Sequence, residues 1–341
     1  MKLPVQTFRE TIGKLLKASG LPEGDAGIVA DVFVRATLRG TGHHDINDFP
    51  GRLNQLKAGK VNKTPQISLI HKNKALENYE GDNGLGELHG AFITKRSIEL
   101  AKEFGIGVCT IRNSNHLLAC APFTEMIGDA GMLGYVITRG APTMGAPGRT
   151  DKVIGTSPQG FAVPKKDGSL LAFDACLAYA ANSLLSEYAG KNKPMPPHWC
   201  LDKDGKPTTD AKVVMENGVR QPIGAHKGFG LSILGEILTG VLSEGQIIDE
   251  PQSGSGIVGQ PSHTAIAIDI GGLIGTEVFT HRVSEMVDRM KNRASNLTIP
   301  NERATAFKNT AMAEGAIDLN DNLIEELNTW CNEYSIPKFK G

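Results

Sequence analysis

Gly105-Ile106-Gly107-Val108-Cys109-Thr110 runs into Ile111-Arg112-Asn113-Ser114-Asn115-His116, and this junction decides the fold. The first six residues form an apolar run of the length and composition of a buried strand. The polar residues behind it, ending on one imidazole, read as a loop at a strand end. An α/β or α+β scaffold presents its reacting groups there, because the strand holds the backbone and the loop reaches solvent. A histidine that only satisfies neighbouring loop carbonyls fits the same letters.

Outward from that strand, Leu88 to Glu103 reads as a helix, and Ile67 to His71 with Ala75 to Tyr79 as a hairpin. Further upstream, residues 5–19 place Phe8, Ile12, Leu15 and Leu16 on one helical face. Asp25 to Leu38 repeats the pattern, and Pro50 opens a third helix from Phe49 to Lys60. Downstream, Phe123 to Ala130 is helical. Leu133 to Thr138, Phe161 to Pro164, Ser169 to Phe173 and Thr264 to Asp269 read as strands, whereas Ala178 to Gly218 shows little periodicity. His226 to Leu242 is a helix apolar on most faces, which belongs in a core or an oligomer interface. Glu277 to Ala294 and Asp321 to Glu333 close the chain as helices. The class is α+β. Residues 1–62 form a helical subdomain completed by C-terminal helices within 280–341, and residues 63–279 form a mixed-sheet domain.

Composition narrows the partners. The 36 basic and 37 acidic residues of the 341 leave a net charge of −1, so no global field favours nucleic acid or an anionic membrane. No run reaches the length of a membrane span and the N-terminus carries no signal h-region, so the expected compartment is the cytoplasm. Five scattered cysteines without a CxxC pair fit reduced thiols. Gly254-Ser255-Gly256-Ile257-Val258-Gly259 spells GxGxxG, but it follows Pro251 and runs into Pro261 and a strand. The dinucleotide fingerprint needs a strand before the glycines and a helix after them, so this stretch reads as a loop.

Three further clusters can carry chemistry. His43-His44-Asp45 with Asp48 reads as an acid/base histidine with a carboxylate, as a metal site, or as a solvated connection whose Asp48 caps the next helix. Gly224-Ala225-His226-Lys227-Gly228 opens the long helix. Its backbone N–H groups and lysine suit an anion, although the glycines can equally serve close packing. Asp174, in Phe173-Asp174-Ala175-Cys176, ends a strand and can orient a ligand or act as a buried structural carboxylate. Cys176 has no neighbouring base in sequence, which argues against a thiol nucleophile.

Taken together these stretches resemble the type 2 malate/L-lactate dehydrogenase family, which includes ureidoglycolate, sulfolactate and diketogulonate enzymes and a cyclic-imine reductase. The resemblance covers nearly the whole chain. It rests on Arg39-Gly40 with His44, on Arg112 to His116, on Gly155-Thr156-Ser157-Pro158 and on Asp174-Ala175-Cys176. It continues through Asp202 to Thr209, Lys227-Gly228-Phe229-Gly230 and Pro300-Asn301-Glu302. It implies a non-Rossmann mixed-sheet domain binding NAD or NADP, a homodimer, and hydride transfer to or from a small 2-hydroxy/2-keto acid or a related hydroxy or imino compound. On the family's pattern His44 and His116 are the proton-transfer residues. Asp48, Arg52, Arg112 and Thr156 fall at substrate positions. Asp174, Ala175, Cys176, His226, Lys227, Gly228, Asn301, Glu302 and Arg303 fall at cofactor positions, and no metal is implied.

Three departures matter. Asp48 stands where the family has an arginine suited to a substrate carboxylate, Thr156-Ser157-Pro158 stands for Thr-Asn-Pro, and Leu117-Leu118 follow His116 in place of an aromatic and a glycine. The charge reversal points to a substrate with a cationic, amino or polyol group facing Asp48, or to a carboxylate turned towards Arg52, Arg112 or Lys227. Two rival readings stand beside the oxidoreductase. One is a metal-dependent hydrolase or lyase using His43, His44, Asp45 and Asp48; the other is a catalytically impaired dimeric relative.

Overall fold

The computed structural model describes residues 1–250 and 260–339, so the Gly254 to Gly259 stretch lies outside the described residues. Seven strands form the central sheet: β1 (Ser68–Asn73), β2 (Leu76–Glu80), β3 (Ile106–Arg112), β4 (Leu133–Thr138), β5 (Gln159–Pro164), β6 (Leu170–Ala175) and β7 (His263–Ile268). Their order is β1-β2-β3-β7-β4-β5-β6. Only β2 and β3 run parallel; every other neighbouring pair is antiparallel. The fold is therefore mixed α/β around a mixed sheet. The parallel pair needs a crossover, which the helix Gly86–Phe104 supplies.

The deciding strand sits at the sheet's centre. Its Cys109 and Ile111 are fully buried, and β7 lies against it with His263 opposite Ile111 and, on the other side, opposite Thr138. The strand runs on to Arg112, two residues beyond the apolar run, because Ile111 still pairs in the ladder. One cluster of buried side chains joins this strand to Phe8, Phe33 and Phe49 of the N-terminal helices and to Leu327 near the C-terminus. The chain ends are tied together as well. Lys2–Pro4 pairs with Ala316–Asp318, and the Phe8 and Phe339 rings stand 6.4 Å apart. The helix Thr276–Arg293 packs elsewhere, its Val287 among Val163 and Leu171 of the sheet.

Other segments differ from their reading. Residues 178–218 hold helices at Asn182–Gly190 and Ala211–Asn217 and a short pairing of Cys200–Leu201 with Val219–Arg220. Glu302–Glu314 is a helix although only Ala311 of it is buried, so no apolar stripe announces it. The long apolar helix is α-helical over His226–Glu236 and continues as a wider turn over Ile237–Val241. Its Leu231, Ile233, Leu234 and Ile237 are exposed, so within one chain this helix is not core. No helix among the described residues is long and apolar enough to cross a membrane.

Gly13 lies in the helix Val5–Ala18, and a Cβ there would meet nothing within 4 Å. Gly13→Ala should therefore stabilise the chain by about 0.5–1 kcal/mol through helix propensity alone, read as an upward shift in the denaturant midpoint at unchanged slope.

Candidate functional site

The loop behind β3 and the segment before the helix Phe49–Lys57 meet in space. The His44 and His116 rings, 72 positions apart in the chain, have centroids 5.0 Å apart at an interplanar angle of 46°. His44 is held with φ +52°, a left-handed conformation that costs a residue with a side chain free energy and is concentrated at functional sites. Its Nδ1 lies 3.2 Å from Asp48 Oδ2, one helical turn on. Asp48 is thus the partner of His44. Burial works against the Asp48 carboxylate, but the His44 hydrogen bond and the charges of His44, Arg52 and His116 bring it below its ordinary value. His43 is exposed, and Asp45 is buried and spent on the turn, where Oδ1 accepts from Asn47 N at 3.0 Å and Asn47 Nδ2 at 2.7 Å.

His116 is gripped from behind. Arg52 Nη2 lies 2.9 Å from its Nδ1 and 3.0 Å from its carbonyl oxygen, and the Leu118 N–H lies 3.2 Å from the same Nδ1. Arg52 Nε donates in turn to the fully buried Glu87 at 2.7 Å. His116 is exposed on one side, and the surrounding protein, Arg52 and His44 lower its pKa, with Asp48 opposing them. The loop itself is clamped. His263 Nε2 lies 3.0 Å from the Asn115 carbonyl, and Asn115 Nδ2 donates to Asn83 O, Asn83 Oδ1 and Gly84 O.

The cations expected to receive a substrate carboxylate are differently placed. Arg52 is buried and committed to Glu87 and His116, while Arg112 donates to Glu80 at 2.9 Å and to the Glu244 carbonyl at 2.8 Å. Lys227 is exposed, and its side chain has no hydrogen-bond or ion-pair partner among the described residues. Thr156 accepts from Leu177 N–H through its carbonyl at 2.8 Å.

Among the residues at cofactor positions, Asp174 accepts from the Ala121 N–H at 2.7 Å, at the start of the helix Ala121–Asp129, and burial pushes its carboxyl up. Ala175 and Cys176 follow it, and burial raises the Cys176 thiol, which makes it a poor nucleophile. Cys176 and Phe229 of the long apolar helix pack on one small cluster, so the Asp174 segment and the start of that helix are neighbours. There the N–H groups of Lys227, Gly228 and Phe229 bond to Gly224, Ile223 and Ala225 carbonyls, and the side chains of His226 and Lys227 are exposed. Gly228 serves packing, because a Cβ there would stand 2.3 Å from the Ile223 oxygen. Asn301, at φ +78°, accepts from Arg39 at 3.0 Å beside a cavity of about 410 Å³ that Arg39 and Lys308 also line. Glu302 pairs with Lys291, and Arg303 is exposed.

Glu87 and His263 escape a sequence reading. Starting the crossover helix at Leu88 leaves Glu87 outside it, and starting the last strand at Thr264 leaves His263 outside that one. The signal for Glu87 was a carboxylate flanked by Gly86 and His89 on what becomes a buried face.

Residues 3–328 match the model of the malate/L-lactate dehydrogenase family. The chain is 32% identical over 347 residues to L-sulfolactate dehydrogenase of Methanocaldococcus jannaschii, covering 98% of each. It is 30% identical over 344 residues to malate dehydrogenase of Pyrococcus horikoshii, covering 96% of this chain and 94% of that protein. A solved structure of sulfolactate dehydrogenase from M. jannaschii superposes with a TM-score of 0.88 at 31% identity, covering 98% of both chains.

Proposed function

Because the chain belongs to the malate/L-lactate dehydrogenase family, whose members are oxidoreductases, we propose that it interconverts a small 2-hydroxy acid, or a related hydroxy or imino compound, with its oxidised form using NAD or NADP. The observation that carries this reading is the 5.0 Å meeting of the His44 and His116 rings, one with a carboxylate behind it and the other with a guanidinium. That pair can hold a carbonyl or hydroxyl oxygen and move its proton. Neither ring can take or deliver a hydride, and the nearby Cys176 is a half-buried thiol whose pKa is raised. The donor set therefore fits an external hydride carrier, and a bound nicotinamide would supply hydride chemistry. Lys227 and His226 would meet the carrier's anionic groups, with the Asp174 to Cys176 segment beside them.

Of the cations expected to receive a substrate carboxylate, Lys227 alone has a side chain with no partner among the described residues. Asp48 faces His44, so its negative charge acts on substrate through that ring and across a short distance. The metal-hydrolase reading draws on His44, Asp48 and His116, whose ligand atoms lie within 4.8 Å of one another. Two donors already fill the His116 Nδ1 lone pair, so the ring proton sits on Nε2 and a cation would have to displace Arg52 or that proton. The exposed Leu231, Leu234 and Ile237 support a second copy of the chain as the cover of that helix.

Fluorescence titration with NADH and NADPH, followed by turnover on malate, lactate, sulfolactate, a cyclic imine and polyol acids, tests the reading. Saturable binding with turnover on at least one compound is expected. Binding without any turnover would favour the impaired relative, and no binding would remove the proposal. Lys227→Ala is expected to raise the cofactor Kd by roughly tenfold at nearly unchanged kcat, by loss of one charge-assisted contact.

A further inference from the structure

Arg52 turns its Nε and Nη2 on other protein groups. Its Nε donates to Glu87 Oε1 at 2.7 Å, and its Nη2 faces His116 Nδ1 at 2.9 Å and the His116 carbonyl at 3.0 Å. The Leu118 N–H points at the same Nδ1 from 3.2 Å. A guanidinium and a backbone amide can only donate, so Nδ1 must offer its lone pair. The single proton of the neutral ring then sits on Nε2. His44 is arranged in the opposite sense. Its Nδ1 faces the Asp48 carboxylate, which can only accept, so Nδ1 carries a proton and Nε2 is left to gain or lose one.

We propose that Arg52, held in place by Glu87, is a positioning residue that fixes His116 as the neutral ring protonated on Nε2, so that His116 only donates a hydrogen bond to the substrate oxygen and His44 alone transfers the proton. The division rests on the oxidoreductase reading above. In the reducing direction a bound nicotinamide would supply hydride to the substrate carbon, and the substrate oxygen, held by His116 Nε2–H, takes the proton of His44 Nε2. The neutral His44 is then reprotonated from solvent. In the oxidising direction the hydroxyl proton passes to His44 and the same donor holds the oxygen.

The charges facing His116 agree with a ring that stays neutral. Arg52 opposes its cation, as does His44 when it carries a proton, and Asp48 favours it. His263 is itself kept uncharged by burial, held between Thr138 Oγ1 at 2.7 Å and the Asn115 carbonyl at 3.0 Å. Protonating His116 would put a hydrogen on Nδ1, where two donors already point. Glu87 is fully buried, with one oxygen on Arg52 and the other without a hydrogen-bond partner. Its role is to anchor the guanidinium at the wall of the site.

The test is nitrogen-15 NMR of the histidine-labelled full chain, with the His116 signals identified through His116→Gln. The wild-type ring is expected to show one protonated nitrogen, Nε2, and no titration between about pH 5 and 8. In the double variant Arg52→Gln with Glu87→Gln, which leaves no buried charge unpaired, His116 is expected to mix tautomers and titrate in that interval. kcat should then fall by roughly 10- to 100-fold, short of deleting an oxyanion donor outright, and its pH profile should gain an acidic limb. Arg52→Lys should restore part of both. A wild-type His116 that carries its proton on Nδ1, or titrates near neutrality, would overturn the proposal, as would a double variant whose His116 spectrum matches wild type. Should the double variant fail to fold, the wild-type spectrum decides alone. The NMR readout needs no turnover, so failure of the oxidoreductase reading is recognised separately.

Discussion

Replacing His44 with glutamine is expected to lower kcat by roughly 10²- to 10⁴-fold in both directions, the range of a positioned acid/base group. Glutamine keeps a hydrogen-bonding side chain of similar reach but cannot cycle a proton. The structure gives the loss a specific form. Asp48 stands 3.2 Å behind the ring, and His44 keeps a left-handed backbone at φ +52°. Little of this depends on the ring's ionisation, so the fold should survive. The Kd for NADH or NADPH should also hold, because His44 is not among the cofactor positions. Steady-state kinetics in both directions, with a thermal melt as control, checks the claim. A variant that kept more than about a tenth of wild-type kcat would remove His44 from proton transfer. Asp48→Asn should fall between the two, since an amide can still face Nδ1 but no longer balances the imidazolium that forms when the ring takes a proton.

What the sequence disclosed and what it hid follow one physical division. Strand β4 and the helix Asp321–Glu333 were bounded to the residue, because their apolar periodicity is the cause of their burial. Glu302–Glu314 was invisible, since it buries a single alanine and its helicity comes from local propensity. Lys2–Pro4 was invisible for a different reason: a three-residue strand exists only because Ala316–Asp318 arrives to pair with it. At the site, the two histidines could be named from their polar surroundings and from family resemblance. The use of the arginines could not. Arg52 finds Glu87 35 positions away and His116 64 away, and Arg112 finds Glu244 132 away, and no local pattern encodes such partners. Asp48 shows the same limit. Its charge reversal was plain in the sequence, whereas its facing His44 is a matter of one helical turn and a left-handed φ.

Gly86 is where the fold and the chemistry meet most closely, and Gly86→Ala should damage both. A Cβ there would lie 2.1 Å from the Asn115 oxygen and 2.5 Å from the His116 carbonyl carbon. Relief requires the Ser114 to His116 backbone to move, and that backbone is tied down on several sides. Asn115 Nδ2 donates at 2.9 to 3.1 Å to three acceptors on Asn83 and Gly84, and His263 lies 3.0 Å from the Asn115 carbonyl. The helix Gly86–Phe104 cannot retreat easily either, because Ile93, Leu100 and Ala101 are buried in the main core. Alanine gains up to about 1 kcal/mol in helix propensity, less at a first helical position, against an overpacking cost of about 1–3 kcal/mol. The net effect is destabilising. The larger consequence is on kcat, because a shift near 1 Å in His116 misaims its ring and costs roughly 10²-fold. Gly13→Ala, a glycine-to-alanine change in open space, separates the clash from propensity by moving stability the other way. If Gly86→Ala turned over at the wild-type rate, the loop would be shown to yield cheaply, and the rigid placement of His116 on which its role depends would be lost.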